Sequence, residues 1–176
     1  MEKNERDVTC FFTGHRQIPD EVMTPLLSEV DKAIEDLYAE GFRNFICGGA
    51  VGFDTVAACR VAVAAKKYDD MRFILVLPCR DQTSRWRRTS DLSLYQRIKG
   101  LADIVFYARD MYEDGCMLER NRMMADMSSA CVAFYSGVQI GGTAYTVRYA
   151  KKEGLRIENL YERVCPGGSP NQITMI

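Results

Sequence analysis

Three short segments of this 176-residue chain set glycine beside polar side chains where an apolar run stops. Thr13-Gly14-His15-Arg16 follows Val8 to Phe12. Gly48-Gly49-Ala50-Val51-Gly52-Phe53-Asp54 follows Asn44-Phe45-Ile46-Cys47. Gly141-Gly142-Thr143 comes shortly after Tyr135-Ser136-Gly137. Glycine lets backbone N–H groups come close to a ligand, and a helix N-terminus favours an anion, so each segment carries the chemistry of a phosphate site. One such loop alone is equally ordinary turn chemistry. Three on one edge of a sheet point to a pocket for a phosphate or pyrophosphate. The second loop has three glycines, as a dinucleotide fingerprint does, but spaced G-G-x-x-G, and there is no Walker lysine-serine pair.

The side chains around these loops each allow two readings. Arg16 is either an anion clamp or a surface ion-pair partner. Asp54 either caps a helix or accepts a ribose hydroxyl. His15, the chain's only histidine, either satisfies a backbone carbonyl or serves as a general acid. In MLERNRMMADMSS the methionines Met117, Met124 and Met127 read as core. Arg120, with Asn121 beside it, either forks onto a phosphate or carboxylate or pairs with Glu119 or Asp126. Gln82 and Trp86 are placed to cover a base or sugar, with Trp86 packed under a loop as the alternative. The basic run Arg85-Trp86-Arg87-Arg88 either contacts a nucleic-acid backbone or is a solvated loop.

Alternating elements must position these groups. Strands are expected at about 8–13, 44–47, 72–77, 103–107, 131–135 and 156–160. Helices are expected at 20–40, 53–67, 92–101, 117–128 and 143–153, from apolar spacing such as Val22, Leu26, Leu27, Val30, Ile34 and Leu37, with Gly41 as a stop. Unbroken apolar strands alternating with helices imply an α/β, Rossmann-like, doubly wound and mainly parallel sheet with helices on both faces. The whole chain, 1–176, is expected to be one domain with its core at about 8–160 and an irregular tail at 165–176.

Composition narrows the partners. Hydrophobic residues make up 47% and charged residues 27%, which is the globular range, and the net charge of −1 argues against a nucleic-acid binder. The seven cysteines form no CxxC pair. With one histidine they offer no zinc site, and no metal or cofactor is expected. An odd cysteine count, no leader-like segment and no long apolar run point to a reducing cytoplasm and no membrane span.

FTGHR, GGAVGFDTVAA, LPCRDQTSRW, MLERNRMMAD and GGTAYTVRYA, in that order, together resemble the YpsA-like branch of the SLOG superfamily. That group of Rossmann-like domains is named after the DNA-processing protein Smf/DprA and the LOG enzymes. The resemblance runs from about residue 8 to 160. It implies a nucleotide or nucleotide-derived ligand, such as ADP-ribose, NAD or a nucleoside phosphate, held at the glycine-rich strand ends. It also implies homo-oligomers paired through helices. Met117, Arg120 and Met124 match the LOG motif M-x-x-R-K-x-x-M, with Asn121 in place of its lysine, so Arg120 is the carried-over functional residue. Aligning Thr143 with the LOG threonine puts Tyr145 and Thr146 where LOG enzymes have two glutamates.

Three functions are therefore expected in order. The first is a nucleotide-ligand sensor using Thr13, Gly14, His15, Arg16, Gly48, Gly49, Gly52, Asp54, Gln82, Arg120, Asn121, Gly141, Gly142, Thr143 and Thr146. The second is an N-glycosidic, phosphoribohydrolase-like nucleotide hydrolase in which Arg120 anchors the phosphate and a carboxylate that the sequence does not identify does the chemistry, with Asp54 and Glu119 as candidates. The third is a single-stranded DNA-handling module.

Overall fold

The computed structural model describes residues 4–84 and 86–167; Arg85 of the basic run and residues 168–176 of the expected tail lie outside the described residues. After a short 3-10 helix at Glu5–Val8, the chain alternates β1 (Thr9–Gly14), α1 (Asp20–Ala39), β2 (Asn44–Cys47), α2 (Phe53–Ala65), β3 (Arg72–Leu77) and α3 (Thr89–Leu101). It continues with β4 (Ile104–Tyr107), α4 (Cys116–Asp126), β5 (Ala130–Phe134), α5 (Gly142–Lys152), β6 (Arg156–Asn159) and α6 (Tyr161–Val164). All six strands form one parallel sheet in the order β4-β3-β2-β1-β5-β6.

The strand order explains the two-sided core. From β1 the chain steps outward through β2 and β3 to β4, then returns to β5 and β6 on the other side of β1. Successive crossovers of one hand therefore put α1, α2 and α3 on one face and α4 and α5 on the other. Side chains alternate accordingly. Cys10 and Phe12 join the cluster containing Leu26, Val30, Ile34, Leu37, Phe53 and Val61. Phe11, between them, joins Ile46, Val76, Met124, Ala133 and Ala150. Each fully buried phenylalanine contributes roughly 1.5–3 kcal/mol of transfer free energy. The β1–β5 boundary is where the strand order reverses, and the carboxyl ends of these strands open a crevice there.

Local signals set the element ends. α1 stops as expected at Gly41, which has φ 102°. The Gly41 N–H donates to the Tyr38 carbonyl and the Phe42 N–H to the Leu37 carbonyl, both at 3.0 Å. This paired closure needs a left-handed residue, which glycine supplies. α3 begins at Thr89, earlier than the expected 92, and α6 and the 3-10 helix were not anticipated. No helix of the described residues is long and apolar enough to cross a membrane.

Candidate functional site

The crevice holds a cavity of about 330 Å³. The end of β1 supplies Thr13, Gly14, His15 and Arg16. The β2–α2 turn supplies Ala50, Val51 and Asp54. The first turns of α4 supply Met117, Leu118, Arg120 and Asn121, and the start of α5 supplies Ile140, Gly141, Gly142 and Thr143. Ten of the expected residues are thus brought to one concavity, and Ala50, Val51, Met117, Leu118 and Ile140 join them.

The floor is a buried ion pair. Arg120 is 4% exposed and Asp54 7%. Arg120 Nη1 stands 3.3 Å from Asp54 Oδ2 and also donates to the Gly48 carbonyl. The expected partners of Arg120 are engaged elsewhere: Glu119 accepts from Arg109 and Asp126 from Tyr149. Burial pushes the Asp54 carboxyl up from its ordinary value, with the Arg120 guanidinium opposing. Arg120 Nε is buried and makes no hydrogen bond among the described residues. Asp54 does not cap α2. The N-cap is Gly52, and the Asp54 carboxylate instead accepts the Ala50 N–H at 3.4 Å.

The rim between β1 and β5 is stitched by short bonds. Thr143 Oγ1 donates to the Gly14 carbonyl at 2.9 Å, and the His15 N–H to the Phe134 carbonyl at 3.2 Å. His15 Nε2 accepts the Ser136 N–H at 2.9 Å, which leaves the ring proton on Nδ1. Burial lowers the His15 pKa from its ordinary value, in keeping with a neutral ring. Asn121 Nδ2 donates to Thr146 Oγ1, and Thr146 Oγ1 donates to the Gly142 carbonyl, both at 2.7 Å. Asn121 and Thr146 together hold the first turn of α5 against α4.

Five expected residues lie outside the lining, each with a structural occupation. A Cβ on Gly48 would land on the Arg120 guanidinium and 2.6 Å from Asp54 Oδ2. One on Gly49 (φ +66°) would stand 2.6 Å from a Leu77 methyl, on the β3 side of the loop. One on Gly52 (φ +89°) would enter the Arg16 backbone, where the Phe53 N–H donates to the His15 carbonyl at 3.0 Å. Gln82 is buried and donates to the Gly49 carbonyl at 2.9 Å, so it supports the loop from behind. Thr146 is fully buried under Gly142. Trp86 packs edge-on against Tyr95, ring centroids 5.2 Å apart, away from the cavity.

Gly141 and Gly142 behave differently. A Cβ on either would meet nothing within 4 Å among the described residues. No side chain caps α5, and its first turn contains no acidic residue. The exposed Arg16 stands on the same rim. Backbone N–H groups, a helix dipole and a guanidinium thus converge on open space. Among the described residues no group of three or more His, Cys, Asp or Glu is arranged to hold a metal ion.

The comparisons with known proteins agree with this architecture. The family model YpsA, described as the YspA SLOG family, matches residues 13–163. The uncharacterized SPbeta prophage-derived protein YoqJ of Bacillus subtilis (strain 168) is 29% identical over 143 residues, covering 74% of this chain and 82% of that protein. DNA processing protein A of Streptococcus pneumoniae superposes with a TM-score of 0.62 at 18% identity, over 93% of this chain and 55% of that one. DNA processing protein A of Helicobacter pylori, solved for its single-stranded DNA binding mode, superposes with a TM-score of 0.59 at 16% identity, over 87% of this chain and 65% of that one. At those identities the two structures share the fold. This chain spans less than two thirds of either.

Proposed function

The chain belongs to the YspA SLOG family, and from that premise we propose that its cavity binds a nucleotide or nucleotide-derived ligand by the phosphate and acts as a sensor. The observation that carries this reading is the uncapped N-terminus of α5, where Gly141 and Gly142 leave open space beside Arg16. The phosphate rests on the first N–H groups of α5 with Arg16 closing over it. The sugar then extends toward the Asp54 carboxylate on the floor. A cavity of about 330 Å³ is at the small end of ligand sites. It encloses the phosphate and sugar of a nucleoside monophosphate and leaves the rest of an ADP-ribose or NAD outside. Calorimetric titration with nucleoside mono- and diphosphates, ADP-ribose and NAD tests this. Binding that depends on the phosphate supports it, and absence of binding across the panel refutes it.

A hydrolase reading gains one observation. The carboxylate inside the cavity is Asp54, whereas Glu119 points to Arg109. Asp54, whose carboxyl is raised from its ordinary value by burial, would as the ionised carboxylate accept the proton of a water attacking an N-glycosidic carbon. Tyr145 and Thr146 supply no carboxylate from α5. Chromatography of nucleotides incubated with the protein separates the readings: released base or phosphate favours hydrolysis, and intact nucleotide with binding preserved favours the sensor. The single-stranded DNA reading keeps the support of the fold shared with DNA processing protein A, while Trp86 of the basic run is half-buried and packs edge-on against Tyr95.

A further inference from the structure

A second concave surface lies outside this cavity, between α4 and α5. It is a groove of about 490 Å³ lined by Arg122 of α4 and by Tyr145, Arg148, Tyr149 and Lys152 of α5. The α5 residues recur at three- and four-residue spacing, so they form one stripe along the helix. The Tyr145 and Tyr149 rings are nearly parallel, 11° apart, with centroids separated by 6.3 Å. The Arg122 guanidinium stands 5.8 Å from the Tyr145 centroid. Arg148 Nη1 donates to the Gln139 carbonyl at 2.7 Å, and Tyr149 OH donates to Asp126 at 2.8 Å, which fixes both side chains. Lys152 meets Glu153 only at 4.0 Å.

Three cations line this groove, and two carboxylates stand at its edge, Asp126 on the Tyr149 hydroxyl and Glu153 at 4.0 Å from Lys152, so the groove keeps a positive surplus that complements an anion although the whole chain carries −1. Aromatic rings beside regularly spaced cations suit one class of polyanion, in which flat bases alternate with phosphates. An acidic peptide would use the cations and leave the tyrosines idle. Tyr145 is one helical turn from Gly142, so the stripe starts beside the mouth of the cavity.

We propose that the α4–α5 groove binds single-stranded nucleic acid, with Arg122, Arg148 and Lys152 on backbone phosphates and Tyr145 stacking a base. This site does not depend on what occupies the cavity. The test is fluorescence anisotropy of a labelled oligothymidylate with the full chain across a salt series. Arg122→Ala/Lys152→Ala should weaken binding about 10-fold and flatten the log–log salt slope by about 1.4, since each phosphate contact on a single strand contributes about 0.7. Tyr145→Leu, which keeps the charge, should weaken binding about 5-fold or more. Lys32→Ala/Lys66→Ala removes the same charge from the opposite face of the sheet and should leave binding unchanged. No binding by the wild type overturns the proposal, as does equal loss from both lysine- and arginine-directed double variants. Competition by polyglutamate with Tyr145→Leu silent also overturns it. So does a self-associating wild type that Tyr145→Leu converts to monomer without changing oligonucleotide affinity.

Discussion

The β2–α2 and β5–α5 loops both put glycines between a parallel strand and its following helix, yet the space those glycines leave is used in opposite ways. At Gly48, Gly49 and Gly52 it is filled by the protein itself: the Arg120 guanidinium, a Leu77 methyl and the Arg16 backbone. At Gly141 and Gly142 it is empty. A glycine-rich turn therefore says that something comes close, and only the packing says whether that is another part of the chain or a ligand. The first loop builds a floor around the Asp54–Arg120 pair. The second presents donors above it.

This contrast can be broken by substitution. Gly48→Ala has the largest expected effect. The new methyl displaces Arg120 from Asp54 and leaves buried charge unpaired, costing about 3–5 kcal/mol in urea unfolding. A loss below about 1 kcal/mol would show that the floor does not need the glycine. Arg16→Ala should do the reverse. Unfolding stability stays within about 0.5 kcal/mol, as expected for an exposed side chain, while nucleotide binding measured by calorimetry weakens by about 1.5–3 kcal/mol, the worth of a hydrogen bond to a charged group. Gly142→Ala is smaller still in its effect on binding. It should raise stability by about 0.5–1 kcal/mol through helix propensity, while weakening phosphate binding about 10-fold, or about 1.4 kcal/mol.

The smallest effect is in pH. The His15 pKa is lowered in the fold by burial, so the unfolded chain takes up the proton first. The stability contributed by the neutral ring is complete above the ordinary value of 6.5 and is lost as pH falls toward the lower folded value. Urea midpoints should fall across that window in the wild type, and His15→Gln should flatten the profile. An unchanged profile would mean that burial of the ring does not disfavour its protonation in the fold.

Much of this was legible in the residues. The run Arg72 to Leu77 and the alternation of strands with helices give the sheet, because buried parallel strands must be apolar on both faces. Gly41 marks the end of α1 because the closure there requires a left-handed residue. The start of α3 was less legible, since Thr89, Ser90 and Asp91 are polar and carry no periodic signal. The four-residue α6 is too short to show one. Within the site, the convergence of Gly14, Arg16 and Gly142 follows from the strand ends. The Asp54–Arg120 pair does not, because it joins side chains 66 positions apart. Gln82 reads as a ligand contact in sequence. In the fold it is a strut, since its loop folds behind Gly49.

Amide chemical-shift mapping during titration with a nucleoside monophosphate tests the central claim most directly, because it reads both loops at once. The N–H groups of Gly141, Gly142 and Thr143 should shift most, with Gly48 and Gly49 moving little. Saturable binding that leaves the first turn of α5 unmoved, or that moves Gly48 and Gly49 most, would contradict it.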